Sequence, residues 1–353
     1  MLKSLPSKLF CPTCGDPDAQ LRPHVFREGE NGHICDGILL CNGCACWYPI
    51  AADVLELVPP ALLYRGDLTA FERRFRSELK ALGLAPASSG SAVAGEKPAY
   101  VDQIKQREHF DNYAEGLKPG FVDYPQSPFW RAAAHRFMNH WRRAIRKPDA
   151  WILDIGCGMG VNSLPLADQL TVIGFDISKG AVRRVTEEAR RQNLMGTTTF
   201  FVGDGASLSI KPETFDYAQT IGALHHLPNP EQALRKIQEI LAVGGIYYGV
   251  ENNKSAFRGI FDLLMNIKPL WIEEAGAEPL ISAEMINSWV AGLPARVTSE
   301  TSVFLPPHVF NPLGPSLASS LLEVSDCICA RIPWLRDQGG QILFMVEKLA
   351  PLA

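Results

Sequence analysis

From Trp151 onward the chain alternates short apolar runs with amphipathic stretches. The runs WILDIGC, TVIGFDI, TTFFVGD, FDYAQTIG and GGIYYGV read as buried strands, and residues 162–169, 178–193 and 230–241 show helical spacing between them. Such alternation predicts an α/β fold, a mostly parallel sheet wound by helices on both faces. In the middle helix Arg183, Glu187 and Arg191 stand four apart, which is the spacing of surface ion pairs. After Asn252 the pattern mixes helical and irregular stretches as far as Arg336, and QILFMVEKL then supplies one more strand.

The N-terminal part is patterned differently. Residues 1–60 show no long helical periodicity and hold six of the nine cysteines. Around residues 68–82 FERRFRSELKAL has helical spacing, and APASSGSAVAGEKPA over 85–99 reads as a flexible linker. Between 100 and 146 two further helices are expected. The second, WRAAAHRFMNHWRRAIR, interleaves apolar positions with arginines of a solvated face.

Composition narrows the class. A chain of 353 residues exceeds one average domain and implies two globular units with connecting segments. A net charge of −4 provides no broad cationic field, so nucleic acid is a possible partner but not a favoured one. No apolar run approaches the roughly 18 to 20 residues that span a bilayer, and no signal-peptide core precedes Cys11, so a cytoplasmic location is expected. An odd number of cysteines also suits a reducing compartment with thiolate metal ligands.

The strongest chemical signal is Asp154-Ile-Gly156-Cys-Gly158-Met-Gly160, after an apolar strand and before an expected helix. Glycines there let the backbone turn sharply and approach a ligand closely. The third glycine comes one residue early for the dinucleotide pattern G-x-G-x-x-G, with Val161 in its place, which argues against NAD. Asp176 ends the next strand, where a carboxylate can accept from both ribose hydroxyls, and Asp204 ends the one after in GDG. Three acids at three successive strand ends place polar groups along the crevice where such sheets bind ligands.

The motifs LDIGCGMG, FDIS, GDG and FDYAQTIGALHHLPNPEQALRKIQEILAVGG resemble those of class I S-adenosylmethionine (SAM) methyltransferases, the broad group that includes quinone-biosynthesis and natural-product enzymes. The resemblance covers residues 100–348. It implies a Rossmann-like sheet of seven strands, with QILFMVEKL antiparallel beside the fifth. It also implies that Asp154, Gly156, Gly158 and Gly160 surround the methionine part of the cofactor, Asp176 the ribose, and Asp204, Gly205 and Ala206 the adenine, with Ile177 packed on the ring. Tyr113, in HFDNYAEG, falls where related enzymes fold a helix over the cofactor.

Cys11-Pro-Thr-Cys14 and Cys41-Asn-Gly-Cys44 are two C-x2-C knuckles, a spacing that brings four thiolates to one structural Zn2+. FCPTCG and LLCNGCACWYPI resemble the zinc-ribbon family related to the activator subunit of transfer-RNA methyltransferases. The resemblance favours Cys44 over Cys46, because Tyr48-Pro49 follows the last ligand. The intervening loop holds His24, His33 and Cys35 as alternative ligands. The expected division is a zinc-ribbon module (1–60), a helix and linker (61–99) and a methyltransferase domain (100–353). Within the last lie a helical lid (100–147), the cofactor core (150–252), an acceptor cap (253–335) and the final strand (340–349).

Methyl transfer needs alignment more than covalent chemistry. For a hydroxyl acceptor, His225 or His226, adjacent on what reads as an extended loop, would remove the proton, and Glu251 is another candidate acid. Thr220-Ile221-Gly222 stands where many amide and base methylases carry Asn-Pro-Pro-Tyr, which shifts weight to a small organic or lipid-like acceptor. Methylation of RNA or protein through the ribbon, and a noncatalytic SAM-binding scaffold, are the alternatives.

Overall fold

A computed structural model describes residues 1–29, 32–84, 100–116, 127–270 and 279–352. The linker expected at 85–99 lies outside them, as do parts of the expected lid and cap. In chain order the elements are β1 (Leu21–Glu28), β2 (Ile34–Cys41), β3 (Trp47–Ala51), β4 (Val54–Leu57), α1 (Arg65–Arg74), α2 (Arg76–Ala81), α3 (Val101–Ala114), α4 (Pro128–Ala144), β5 (Trp151–Ile155), β6 (Thr171–Asp176), α5 (Lys179–Arg191), β7 (Thr198–Gly203), β8 (Phe215–Ile221), α6 (Pro230–Ile240), β9 (Leu241–Asn252), α7 (Arg258–Ile267), α8 (Ala283–Trp289), β10 (Ala295–Ser302), α9 (Pro307–Phe310), α10 (Pro315–Cys329) and β11 (Gln341–Lys348). The chain divides into two compact units, Met1–Glu115 with Cys157–Thr214, and Gly116–Gly156 with Phe215–Ala353. The division falls inside the glycine loop.

In the first unit β1, β2, β3 and β4 form an antiparallel meander, and β4 then pairs in parallel with β7, which pairs in parallel with β6. The β3–β4 hairpin turns on Ala52 and Asp53, both at positive φ, as a two-residue turn between twisted strands requires. The Asp53 carboxylate is held there by Arg190 of α5 at 2.6 Å and by His33 at 2.6 Å. Helices α1 and α2 break at Phe75 and pack on the meander through an aromatic cluster: Phe71 lies 4.8 Å from Phe75, Phe26 5.2 Å from Phe75, and Trp47 6.1 Å from Phe71. Each ring buried this way contributes on the order of 1.5–3 kcal/mol. Helix α5 is amphipathic, burying Ala181, Val182, Val185 and Ala189 at helical spacing.

One expectation needs correction. The helix over 162–169 is only a single 3-10 turn, Leu164–Leu166, because Pro165 has no N–H to return to Val161. The seven strands expected of the methyltransferase sheet are β5–β11, and the cysteine-bearing meander adds β1–β4, laying β4 along β7 and making eleven strands among the described residues.

In the second unit β5, β8 and β9 are parallel, and β11 runs antiparallel between β9 and β10. Strand β10 lies in a stretch read as helical or irregular. Its Arg296, Ser299 and Glu300 are exposed, so it lacks the apolar run that marks a central strand. Helix α4 starts at the Ser127 cap, whose Oγ accepts from Trp130 N–H, and buries Trp141, stacked on Tyr248 at 4.9 Å. No helix among the described residues is long and apolar enough to cross a membrane.

Candidate functional site

The glycine loop begins where β5 ends. On the second-unit side β5 carries the buried Asp154, in register with Gln219 of β8, and ends at Gly156, whose φ is +72°. A Cβ on Gly156 would come within 2.6 Å of the Ala223 Cβ, so only glycine fits. On the first-unit side Gly158 and Gly160 also have positive φ, and a Cβ on Gly160 would collide with the Val185 side chain.

Asp176, at the end of β6, ties this loop to the next helix. Its Oδ2 accepts from Gly158 N–H and its Oδ1 from Ser178 N–H, each at 2.9 Å. These two bonds fix the direction of the carboxylate between the glycine loop and the start of α5. Ile177 follows, half-buried. Asp204 is buried after β7 and accepts from Ala206 N–H at 2.9 Å, closing a turn over Gly205. Burial pushes its carboxyl above the ordinary aspartate range, more than the Ala206 bond lowers it. Tyr113 lies half-buried on α3.

Two residues that sequence reasoning missed hold the same turn. The Tyr64 hydroxyl donates to Asp111 Oδ2 at 2.7 Å and accepts from Lys179 N–H at 3.0 Å. Asp111 Oδ1 accepts from Ser178 Oγ at 2.7 Å and from Gly180 N–H at 3.0 Å. The only local hint was that Asp111 stands two residues before Tyr113 in the expected lid helix; nothing in the pattern singled out Tyr64.

In the second unit the histidine loop is a 3-10 turn, Leu224–His226, rather than extended, and the two rings lie 4.0 Å apart instead of diverging. His225 is buried, and its Nδ1 is 2.5 Å from Glu251 Oε2. Glu251, fully buried at the end of β9, accepts on Oε1 from Leu224 N–H at 2.8 Å and from Ala223 N–H at 3.3 Å. The contact engages Nδ1 of the ring, and a hydrogen held there would put the lone pair of a neutral imidazole on Nε2. His226 is half-buried.

The structure gathers Cys11, Cys14, Cys41 and Cys44, with all four sulfurs within 4.8 Å of one another. Cys11 and Cys44 are 3.6 Å apart, Cys14 and Cys41 3.8 Å. Zinc–sulfur bonds in a tetrahedron put sulfurs about 3.8 Å apart, so this donor set fits Zn2+. His33 is turned onto Asp53, and neither it, His24 nor Cys35 joins the group. Tyr48 Oη lies 2.9 Å from Cys11 Sγ. Burial works to raise the Cys11 thiol, but the hydrogen bonds from Tyr48 and from the backbone of Cys14 and Thr13 outweigh it and bring it down to about 7.

Residues 152–245 match the family model of a methyltransferase domain. Norajmaline N-methyltransferase of Rauvolfia serpentina is 27% identical over 185 residues, 49% of this chain and 63% of that protein. A sterol 24-C-methyltransferase of Schizosaccharomyces pombe is 28% identical over 117 residues, 33% of this chain and 31% of that protein. Nocamycin O-methyltransferase of Saccharothrix syringae is 33% identical over 101 residues, 28% and 35% of the two chains. The chain thus spans less than two thirds of the length of these curated relatives. The end of β5, the glycine loop and the strand-end acids Asp176 and Asp204 all lie within the segment that matches the methyltransferase-domain model.

Proposed function

We propose that the protein binds SAM and transfers its methyl group to a small organic or lipid-like acceptor. The observation that carries this reading is Asp176, pinned by one oxygen to Gly158 of the glycine loop and by the other to the start of α5, within a matched methyltransferase segment. Asp154, Gly156, Gly158 and Gly160 surround the methionine part, Asp176 takes the ribose hydroxyls, and Ile177, Asp204, Gly205 and Ala206 take the adenine, with Tyr113 on the covering helix. Held by these residues, SAM would supply an electrophilic sulfonium methyl to the acceptor, with S-adenosylhomocysteine as the leaving product. For a hydroxyl acceptor, His225 Nε2 takes the proton, with Glu251 holding the ring and stabilising the imidazolium that forms. The relatives named above are N-, C- and O-methyltransferases. Their likeness supports a methyl donor and singles out no acceptor atom. Cys11, Cys14, Cys41 and Cys44 hold a structural zinc, since four thiolates close the coordination shell.

Calorimetry tests the central claim. The parent should bind SAM and S-adenosylhomocysteine, and Asp176→Ala should weaken both by about a hundredfold, as expected for two hydrogen bonds to a charged group. A parent that binds neither ligand, or a variant with unchanged affinity, would remove it. Binding without methyl transfer to any small-molecule acceptor pool would instead support a scaffold, and a methyl mass appearing only on RNA or protein would reassign the acceptor.

A further inference from the structure

The first four N–H groups of an α-helix have no partner inside the helix, and each must find one elsewhere or meet water. At α5 all four positions from the cap inward are satisfied by side chains. Ser178 N–H donates to Asp176 Oδ1, Lys179 N–H to Tyr64 Oη, Gly180 N–H to Asp111 Oδ1, and Ala181 N–H to Ser178 Oγ. Asp176 and Ser178 belong to the turn itself, whereas Tyr64 and Asp111 lie 115 and 69 positions away along the chain from the amides they receive. The bonds form one chain: Tyr64 to Asp111, Asp111 to Ser178 Oγ, Ser178 N–H to Asp176, and Asp176 to Gly158 in the glycine loop.

The brace is itself fixed from outside. The Lys179 ammonium lies 5.3 Å above the Tyr64 ring and is paired with Glu56 of β4 and with Asp67 of α1 at 2.5 Å. The Arg107 guanidinium lies 4.7 Å from the same ring and donates to Leu62 O at 2.8 Å. Helix α3 also packs tightly: a Cβ on Gly180 would stand 3.2 Å from the Ala114 Cβ and 3.3 Å from Asp111 Oδ1. A cap this complete exceeds what helix stability needs, since one Ser N-cap already contributes about 1 kcal/mol. Its additional effect is to fix the direction of the Asp176 carboxylate and of Ile177.

We propose that Tyr64 and Asp111 are positioning residues of the cofactor site, holding the turn Asp176–Gly180 so that the Asp176 carboxylate meets the ribose hydroxyls. This rests on the SAM reading above. Each acts through its bonds to the turn. In the full-length protein Asp111→Asn should weaken S-adenosylhomocysteine about tenfold and Tyr64→Phe about three- to tenfold, the range expected for losing one or two hydrogen bonds. Amide hydrogen exchange at residues 178–181 should quicken in both variants without ligand. The Phe variant keeps the ring and serves if Asn fails to fold.

A double-mutant cycle separates positioning from general destabilisation. If the brace works through Asp176, Tyr64→Phe combined with Asp176→Ala binds no more weakly than Asp176→Ala alone. Fully additive losses would overturn the proposal, as would parental affinity in both single variants of a parent that binds. A parent that binds neither SAM nor S-adenosylhomocysteine would overturn the cofactor reading, and the proposal with it.

Discussion

The turn that opens α5 and the helices that follow β9 obey opposite rules. In the turn, each of the first four N–H groups of the helix has a named partner, and one of those partners, Asp176, also reaches the glycine loop. In the later segment large apolar side chains face outward: Phe257, Ile260, Leu263 and Ile267 are 40 to 72% exposed along α7, and Leu317, Val324 and Ile328 exceed 50% on α10. Of the fourteen exposed large apolar side chains among the described residues, nine fall between Phe257 and Trp334. The difference fits two kinds of recognition. A ligand that never changes is served by polar groups at fixed distances, held by their own partners. Apolar surface is non-directional and places little demand on any one residue. Substitutions in the satisfied networks should therefore be costly, and substitutions on the exposed apolar face should not.

The largest effect is expected at the thiol cluster. Cys41→Ser should abolish zinc binding and loosen the meander, because a three-thiolate site loses most of a binding free energy that is also folding free energy. Cys46→Ser should retain metal and structure, since Cys46 stands outside the group of four. Elemental analysis and thermal unfolding read both. Full zinc in the Cys41 variant would move the ligands into the intervening loop.

Next comes the His225–Glu251 pair. His225→Gln keeps a hydrogen-bond donor for the buried carboxylate but removes the base. For a hydroxyl acceptor, turnover should fall by roughly 10² to 10⁴ with cofactor affinity nearly intact, and the pH–rate limb near the histidine range should vanish. His226→Ala leaves the proposed base in place and should change turnover far less. Parental rates in both variants from about pH 5 to 8 would show that alignment alone carries the step.

How much of this was visible beforehand follows the same line. The two C-x2-C knuckles, the glycines and the strand-end acids are short motifs whose chemistry depends on local spacing, and the structure puts the four thiols together and gives all three glycines positive φ. Tyr64 and Asp111 leave no such trace, because their partners are far along the chain and a tyrosine before a helix reads equally well as core. The helix expected after the glycine loop failed on one residue, Pro165. Strand β10 was hidden because an edge strand need not be apolar, and its Arg296 is instead paired with Glu347 of β11 at 2.5 Å. The histidine loop was mistaken for extended chain, since three residues are too few to show a 3-10 period.

The smallest effect is expected on the outer face of α7. Ile267 is 72% exposed at the last position of the helix, so Ile267→Ser removes little buried area. Surface substitutions of this kind change stability by about 0.5 kcal/mol or less, and the midpoint of thermal unfolding should move by no more than about 2 °C. Affinity for S-adenosylhomocysteine should not change, because none of the residues proposed for the cofactor lies on α7. The informative quantity is KM for an apolar acceptor, once one is found. A rise with kcat unchanged would mean that Ile267 contributes to acceptor binding without acting on the reacting atoms. A fall of several degrees in the unfolding midpoint would instead mean that the side chain is covered in solution. Because burial against a second copy makes stability depend on protein concentration, repeating the melt at two concentrations distinguishes self-association from packing within one chain. The contrast between a satisfied donor side and an open apolar side stands only if the midpoint stays where it was.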